Sequence, residues 1–239
     1  MSLFLPLAAV FGLAVLLPLL ARVLGRNAGY VGAAVMAASA AWLSVPTRAV
    51  LDGTPVTESV NWLPGVGVQL SLRLDAVGLL FAWVVLGIGV GVLAYTARYF
   101  PAGSPAVSRY LSLLSFFAGS MLGLVLADDI ILLFVFWELT SISSFFLIGG
   151  LGEGKAGATR AFIITALGGL ALLAAGILLS VIVGTTSLTG ILSSPEVVTA
   201  SPLASTAIVL LLIPALYLIV EDLRWLANPR QRAAARPAE

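Results

Sequence analysis

The sequence contains no cysteine and no histidine. Without cysteine there is no disulfide, thiol nucleophile, thiolate-held cluster or zinc finger. Without histidine, imidazole acid–base chemistry and imidazole metal ligation are gone too. Charge is scarce: Asp, Glu, Lys and Arg make up 10% of the 239 residues, against roughly 25% in an ordinary soluble domain. Twelve basic and 11 acidic side chains leave a net charge of +1, no footprint for nucleic acid. The chain has no glycine-rich nucleotide loop and no quinone or flavin signature, so no cofactor and no metal are expected. Any proton chemistry must rest on carboxylates, lysine, arginine or tyrosine.

Apolar residues are what the chain has in excess, at 60% of the sequence with a mean hydropathy of +1.12. This excludes a disordered chain and argues against a soluble globule. Seven segments approach the roughly 20 mostly apolar residues that a membrane-crossing helix needs. They are Leu3 to Ala21, Ala28 to Val45, Ala76 to Thr96, Tyr110 to Leu126, Ile130 to Gly149, Ala161 to Val183 and Leu203 to Val220. The first has no basic residue before it and a long apolar run, so it reads as a retained helix rather than a signal peptide.

Basic residues orient these segments. Arg22, Arg26, Arg98, Arg109, Lys155 and Arg160 fall on one side, together with the arginines from Arg224 to Arg236. Only Arg48 and Arg73 fall on the other. The expected fold is therefore an all-α, polytopic integral membrane protein of the cell membrane. It has seven transmembrane helices, its N-terminus outside and its C-terminus inside. Residues 1–227 form the helical domain, and 228–239, NPRQRAAARPAE, a short basic cytoplasmic tail.

The longest connection, Pro46 to Asp75, is predicted outside. Within it, the alternation of VGVQLSLRL (Val66 to Leu74) predicts a strand or hairpin arm that could pack on the membrane surface. Asp75 is placed to cap the helix that follows and to pair with Arg73, and Arg98 to snorkel to the inner interface. The fourth and fifth segments are joined by little more than Ala127, Asp128 and Asp129. Asp128 and Asp129 suit the start of a helix, where unpaired N–H groups favour carboxylates; attraction of a cation is the other reading. Gly184 to Pro202, with TTSLTG and SSPEVVTASP, reads as an outside loop. A stripe of mostly small residues, Thr165, Gly169, Leu172, Gly176 and Ser180, reads as a close helix–helix contact. Pro214, near the middle of the last segment, is expected to bend or break it.

Glu138 is the residue that a plain apolar bundle does not explain. It lies in ILLFVFWELTSISSFFLIGG, eight residues beyond Ile130. At 1.5 Å per residue that is roughly 12 Å into a hydrocarbon core of about 30 Å. A carboxyl at that depth must face protein or water rather than lipid. Ser141 follows on the same side of the helix, and Thr140 and Ser144 put hydroxyls on neighbouring faces. Burial disfavours the ionised form of a carboxyl and a nearby cation favours it, so a group pulled both ways can exchange protons. A proton or cation relay, a packing glutamate and a metal ligand are all readings of Glu138, with the relay first. No lysine or arginine lies inside any of the seven apolar runs.

The stretches SLRLDAVGLLFAWVVLGIGVGVLAYTARYF (Ser71 to Phe100), FFAGSMLGLVLADDIILLFVFWELTSISSFFLIGG (Phe116 to Gly150) and TRAFIITALGGLALLAAGILL (Thr159 to Leu179) resemble the proton-translocating antiporter family. That family supplies the large membrane subunits of multisubunit sodium/proton antiporters and of respiratory complex I. LADD followed by FWELTS looks most like the N-terminal part of the antiporter subunit that carries a long C-terminal extension. The resemblance implies that Glu138 is a mid-membrane proton relay. It also implies a partner lysine two helices on, in a motif containing FTKSAQ. This chain instead reads IVLLLIPALYLIVEDLRWLANP there and ends inside the first of two inverted repeats.

The implied function is that of one subunit, or an N-terminal fragment, of a monovalent cation/proton antiporter that moves H+ and Na+. Other membrane subunits are the implied partners, one of them supplying the lysine helix. Such a chain is a transporter component rather than a stand-alone enzyme. The alternatives are a membrane-arm piece of an NADH:quinone oxidoreductase-like or hydrogenase-linked proton pump, and a non-transporting structural subunit.

Overall fold

In the computed structural model, residues 1–63, 68–101, 104, 106–149 and 155–213 are described. Five helical stretches are long and apolar enough to cross a membrane, the first being the 40 residues Phe4–Leu43. A straight helix of that length would run about 60 Å, twice the hydrocarbon thickness. It is broken at a 3-10 turn, Gly25–Asn27, where Gly25 takes φ +58°, a backbone conformation that side chains with a Cβ resist. The break yields α1 (Phe4–Leu24) and α2 (Ala28–Leu43), which pack against each other.

A short helix α3 (Thr47–Leu51) leads into an antiparallel hairpin of β1 (Val56–Leu63) and β2 (Val68–Leu74). Four long helices follow: α4 (Ala76–Tyr99), α5 (Ala106–Leu126), α6 (Ile130–Ile148) and α7 (Lys155–Val183). The segment expected as an outside loop contains two short helices, α8 (Leu188–Leu192) and α9 (Pro195–Ala200). The seventh apolar segment appears as helix Ala204–Ile213. The rest of that segment, Pro214 with its expected bend and the basic tail 228–239 lie outside the described residues.

Several helices are longer than hydropathy indicated. α5 starts at Ala106 rather than Tyr110, and α7 at Lys155 rather than Ala161. Arg109 and Arg160 therefore sit within the opening turns of helices rather than in connections.

Neighbouring helices run antiparallel. Along α2 and α4, Gly29 meets Leu93 and Ala97, Met36 meets Gly89, and Trp83 Nε1 donates to Ser44 Oγ at 2.9 Å. Along α1 and α5, Gly119 packs on Val10 and Phe11, and Ser112 Oγ donates to the Ala14 carbonyl at 2.5 Å. Phe11 also stacks on Phe136 of α6, with ring centroids 6.3 Å apart. Gly123 of α5 lies under the Phe136 ring so closely that an added Cβ would overlap it. Gly123→Ala is expected to destabilise the protein by about 1–3 kcal/mol, the usual cost of overpacking. The check is a melting temperature in detergent, which should fall.

Two ends of the bundle emerge. One gathers the N-terminus, the hairpin, Ala127 to Asp129 and the segment after α7. Glu58 on β1 accepts from Ser2 Oγ at 2.9 Å and from the backbone N–H of Leu3. Leu72 bridges to Ala127, and Asp129 to Ser187. The other end holds the Gly25–Asn27 turn, the C-terminal ends of α4 and α6 and the starts of α5 and α7, and there Arg98 Nε donates to Tyr30 Oη at 2.8 Å. These are the two groups of connections that charge bias separates.

The hairpin packs on the ends of α4, α5 and α6. Its alternation turns Leu72 and Leu74, both 0% exposed, onto the ends of the helices, while Arg73 faces the other way. Burying each such leucine is worth roughly 1.5–3 kcal/mol relative to exposure. Asp75 caps α4 by accepting from Gly78 N at 2.8 Å, and Arg73 pairs with it at 3.5 Å, as expected. Around the bundle, large apolar side chains face outward: Ile88 is 62% and Leu167 61% exposed. Such a belt suits lipid or neighbouring membrane helices and not water.

Candidate functional site

Glu138 lies on α6 at the contact with α7. Among the described residues, its Oε1 is a buried atom with no hydrogen-bond partner. The carboxyl rests against Gly169 of α7, where an added Cβ would overlap Oε1. The same Cβ would stand 2.9 Å from Trp137 Cδ1 and 3.1 Å from its Nε1. Trp137 Nε1 in turn points at the Thr165 carbonyl at 3.4 Å. Two turns toward the C-terminus of α7, Gly176 receives Ile130 in the same manner. The small-residue stripe is thus the seam along which α6 and α7 close, as its sequence indicated.

The hydroxyls expected near Glu138 are present but committed elsewhere. Thr140 Oγ1 and Ser141 Oγ both donate to the Trp137 carbonyl, at 2.6 and 3.1 Å. Their donors are spent on the helix backbone, which leaves oxygen lone pairs able to accept from a water or a protonated acid. With Ser144 and Thr165 they line a largely apolar cleft of about 320 Å³ between α5, α6 and α7. Trp137 also lines it, and Glu138 does not. Among the described residues the one ion pair is Arg73 with Asp75, so Glu138 is not ion-paired there.

Asp128 and Asp129 belong to a different place, the hairpin end of the bundle. Asp129, 3% exposed, caps α6 by accepting from Ile131 N at 2.8 Å and Leu132 N at 3.2 Å. It also takes the Thr186 hydroxyl at 2.5 Å. Asp128 does not cap α6. Its carboxylate accepts from Thr189 Oγ1 at 2.5 Å, Thr189 N at 3.1 Å and Ser187 Oγ at 3.1 Å. Arg73 extends the knot with a bond to Thr189 Oγ1 at 3.0 Å. The two neighbouring acids therefore divide the work: one starts the helix and the other binds the returning chain. Sequence reading placed TTSLTG in a loop but not its hydroxyls on these acids. Chemical complementarity was the available signal, since an apolar chain has few other donors to offer them.

Residues 127–219 match a protein-family model described as "NADH:quinone oxidoreductase/Mrp antiporter, TM". The match includes α6, α7 and Glu138. Over 90% of this chain, and 23% of the other, the fold superposes on a chain of the solved Mrp complex from Dietzia sp. with a TM-score of 0.82 and 44% identity. The chain belongs to the Mrp and complex I antiporter superfamily. The mnhA2 protein of Staphylococcus epidermidis, assigned as an antiporter subunit, is 37% identical over 209 residues, 86% of this chain. Its counterpart in Staphylococcus haemolyticus is 38% identical over 211 residues. This superfamily member spans about a quarter of the length of these relatives, 26% of each. A chain of an archaeal respiratory membrane complex, the membrane-bound sulfane sulfur reductase, shares the fold at a TM-score of 0.71 over 88% of this chain and 43% of its own, with 19% identity. The chain is accordingly a helical, multi-pass membrane protein.

Proposed function

We propose that this superfamily member works within a multisubunit monovalent cation/proton antiporter, with Glu138 as the mid-membrane residue through which protons pass. The observation that carries the reading is the Glu138 carboxyl itself: at mid-helix depth, held against α7, with a buried oxygen that nothing in the described chain satisfies. Intramembrane carboxyls are costly and are kept where ions or protons move. The names borne by the relatives at 44 and 37% identity, an Mrp complex and an antiporter subunit, favour exchange over redox-driven pumping.

Sodium is the expected counter-ion, and other membrane subunits the expected partners. The chain's single lysine, Lys155, stands at the start of α7, far from Glu138 along the sequence. A lysine facing Glu138 in mid-membrane would come from outside these 239 residues. The test is sodium-dependent proton movement in vesicles holding the assembled complex, with Glu138→Gln beside the parent. Undiminished flux in the variant would remove the relay.

The proposed topology has α1, α2, α4, α5, α6, α7 and the helix from Ala204 as seven crossings, with the hairpin end outside. Its support is the gathering of Arg22, Arg26, Arg98, Arg109, Lys155 and Arg160 at one end, against Arg48 and Arg73 at the other. Because the chain has no cysteine, single cysteines report cleanly. Asp52→Cys should react with a membrane-impermeant maleimide on intact cells, and Arg26→Cys only after permeabilisation. The reverse pattern would overturn the orientation.

A further inference from the structure

We propose that Gly169 is a positioning residue for Glu138: the missing side chain at that point of α7 is what lets the carboxyl lie against the helix, away from lipid. This rests on the relay reading of Glu138 and adds to it a determinant on the facing helix. Glycine in a helix interior is less favourable than alanine, so a glycine there requires a local reason. At Gly169 the reason is visible. An added Cβ would overlap Glu138 Oε1 and crowd the Trp137 indole edge, so the carboxyl could keep its present place only if α6 and α7 moved apart. That oxygen is buried and has no hydrogen-bond partner among the described residues. Among the described residues it is held by packing against Gly169 and Trp137, and that packing is what the substitution would change.

Gly176 supplies the matched control. It lies on the same seam two turns away, and its Cβ would overlap a side chain of α6 just as closely, but that side chain is Ile130. A purely structural role for the seam predicts that the two glycines behave alike. Positioning predicts that they differ.

The experiment compares Gly169→Ala, Gly176→Ala and the parent in the assembled complex, reconstituted into vesicles and normalised to complex present. Proton flux per complex should fall roughly tenfold or more in Gly169→Ala, since small misplacements of a reacting group are expensive. In Gly176→Ala it should stay near the parent even if less complex assembles. A second readout is independent of transport: the rate at which a lipid-soluble carbodiimide modifies Glu138, followed by mass spectrometry of its peptide. That rate should change severalfold in Gly169→Ala and hold steady in Gly176→Ala. If Gly169→Ala assembles poorly, adding Glu138→Ala should restore assembly by making room for the new methyl.

Equal behaviour of the two glycine variants in labelling, or no restoration by Glu138→Ala, would overturn the proposal. Failure of the relay itself has a different signature. Flux would survive Glu138→Gln while the labelling difference between the two glycine variants persisted.

Discussion

Glu138→Gln is expected to cut sodium-dependent proton flux per assembled complex by at least about a hundredfold, the scale on which positioned acid–base groups contribute. Assembly should be unharmed. Glutamine matches glutamate in length and planarity, so it can occupy the same place beside Gly169 and Trp137. It cannot take up and release a proton in the working pH range. Nor does the exchange break a bond, because Glu138 Oε1 has no hydrogen-bond partner among the described residues. An acidic residue at the centre of a membrane helix is disfavoured by about 2.5–3.5 kcal/mol on insertion scales, so its amide should insert at least as readily. The expected signature is a complex of unchanged or slightly higher melting temperature that no longer moves protons. If Glu138 instead served only to join α6 to a neighbour, the amide would lower the melting temperature and leave flux per complex intact. Glu138→Asp separates charge from placement. It keeps the carboxyl but withdraws it from Gly169 by one methylene, and an intermediate flux is expected.

Much of the architecture was legible because a membrane simplifies the code. Long apolar runs and the bias of Arg22, Arg26, Arg98, Arg109, Lys155 and Arg160 located the helices and grouped their connections. Helix ends were less legible, and for a physical reason. Hydropathy reports the length in contact with lipid, whereas α5 and α7 continue past it into turns bearing Arg109 and Arg160. The second hairpin arm was visible in the alternation that buries Leu72 and Leu74. The first arm was not, since Glu58 on it serves the N-terminus of α1, a contact 55 residues away in sequence.

At the site, Glu138 stood out by charge and depth, and the α7 stripe by residue size. Which glycine would face the carboxyl depends on the register between two helices, and no local pattern encodes that. The hydroxyls of Thr140 and Ser141 were placed on the correct helix, but backbone carbonyls one turn back compete for them and win. Asp129 was recognisable as a cap from its position before an apolar run. The distinct task of Asp128 depends on Ser187 and Thr189, 59 and 61 residues further on.

Asp129→Ala is expected to be the most damaging single change at the hairpin end, lowering stability by about 3–5 kcal/mol. Three donors converge on this buried carboxylate: two backbone N–H groups from the first turn of α6 and the Thr186 hydroxyl. Loss of a cap costs about 1 kcal/mol. Leaving further buried donors without a charged acceptor adds about 1–3 kcal/mol for each that water cannot reach. Asp129→Asn keeps an oxygen for the helix N–H groups and should recover more than half of the loss. Asp128→Ala should cost less, because Ser187 and Thr189 are still held near α6 by the backbone bonds from Leu188 N to the Asp128 carbonyl and from Ile130 N to the Thr186 carbonyl. Thermal unfolding in detergent, together with protease sensitivity of the 185–190 segment, measures both variants. The contrast with Glu138 then becomes informative. Asp129→Ala weakens the start of the helix that carries the carboxyl, so it should reduce the amount of complex while each surviving complex still moves protons. Glu138→Gln should do the opposite. Two acids nine residues apart, at the start and in the middle of one helix, would thereby be assigned separate tasks, one in folding α6 and one in what α6 conveys.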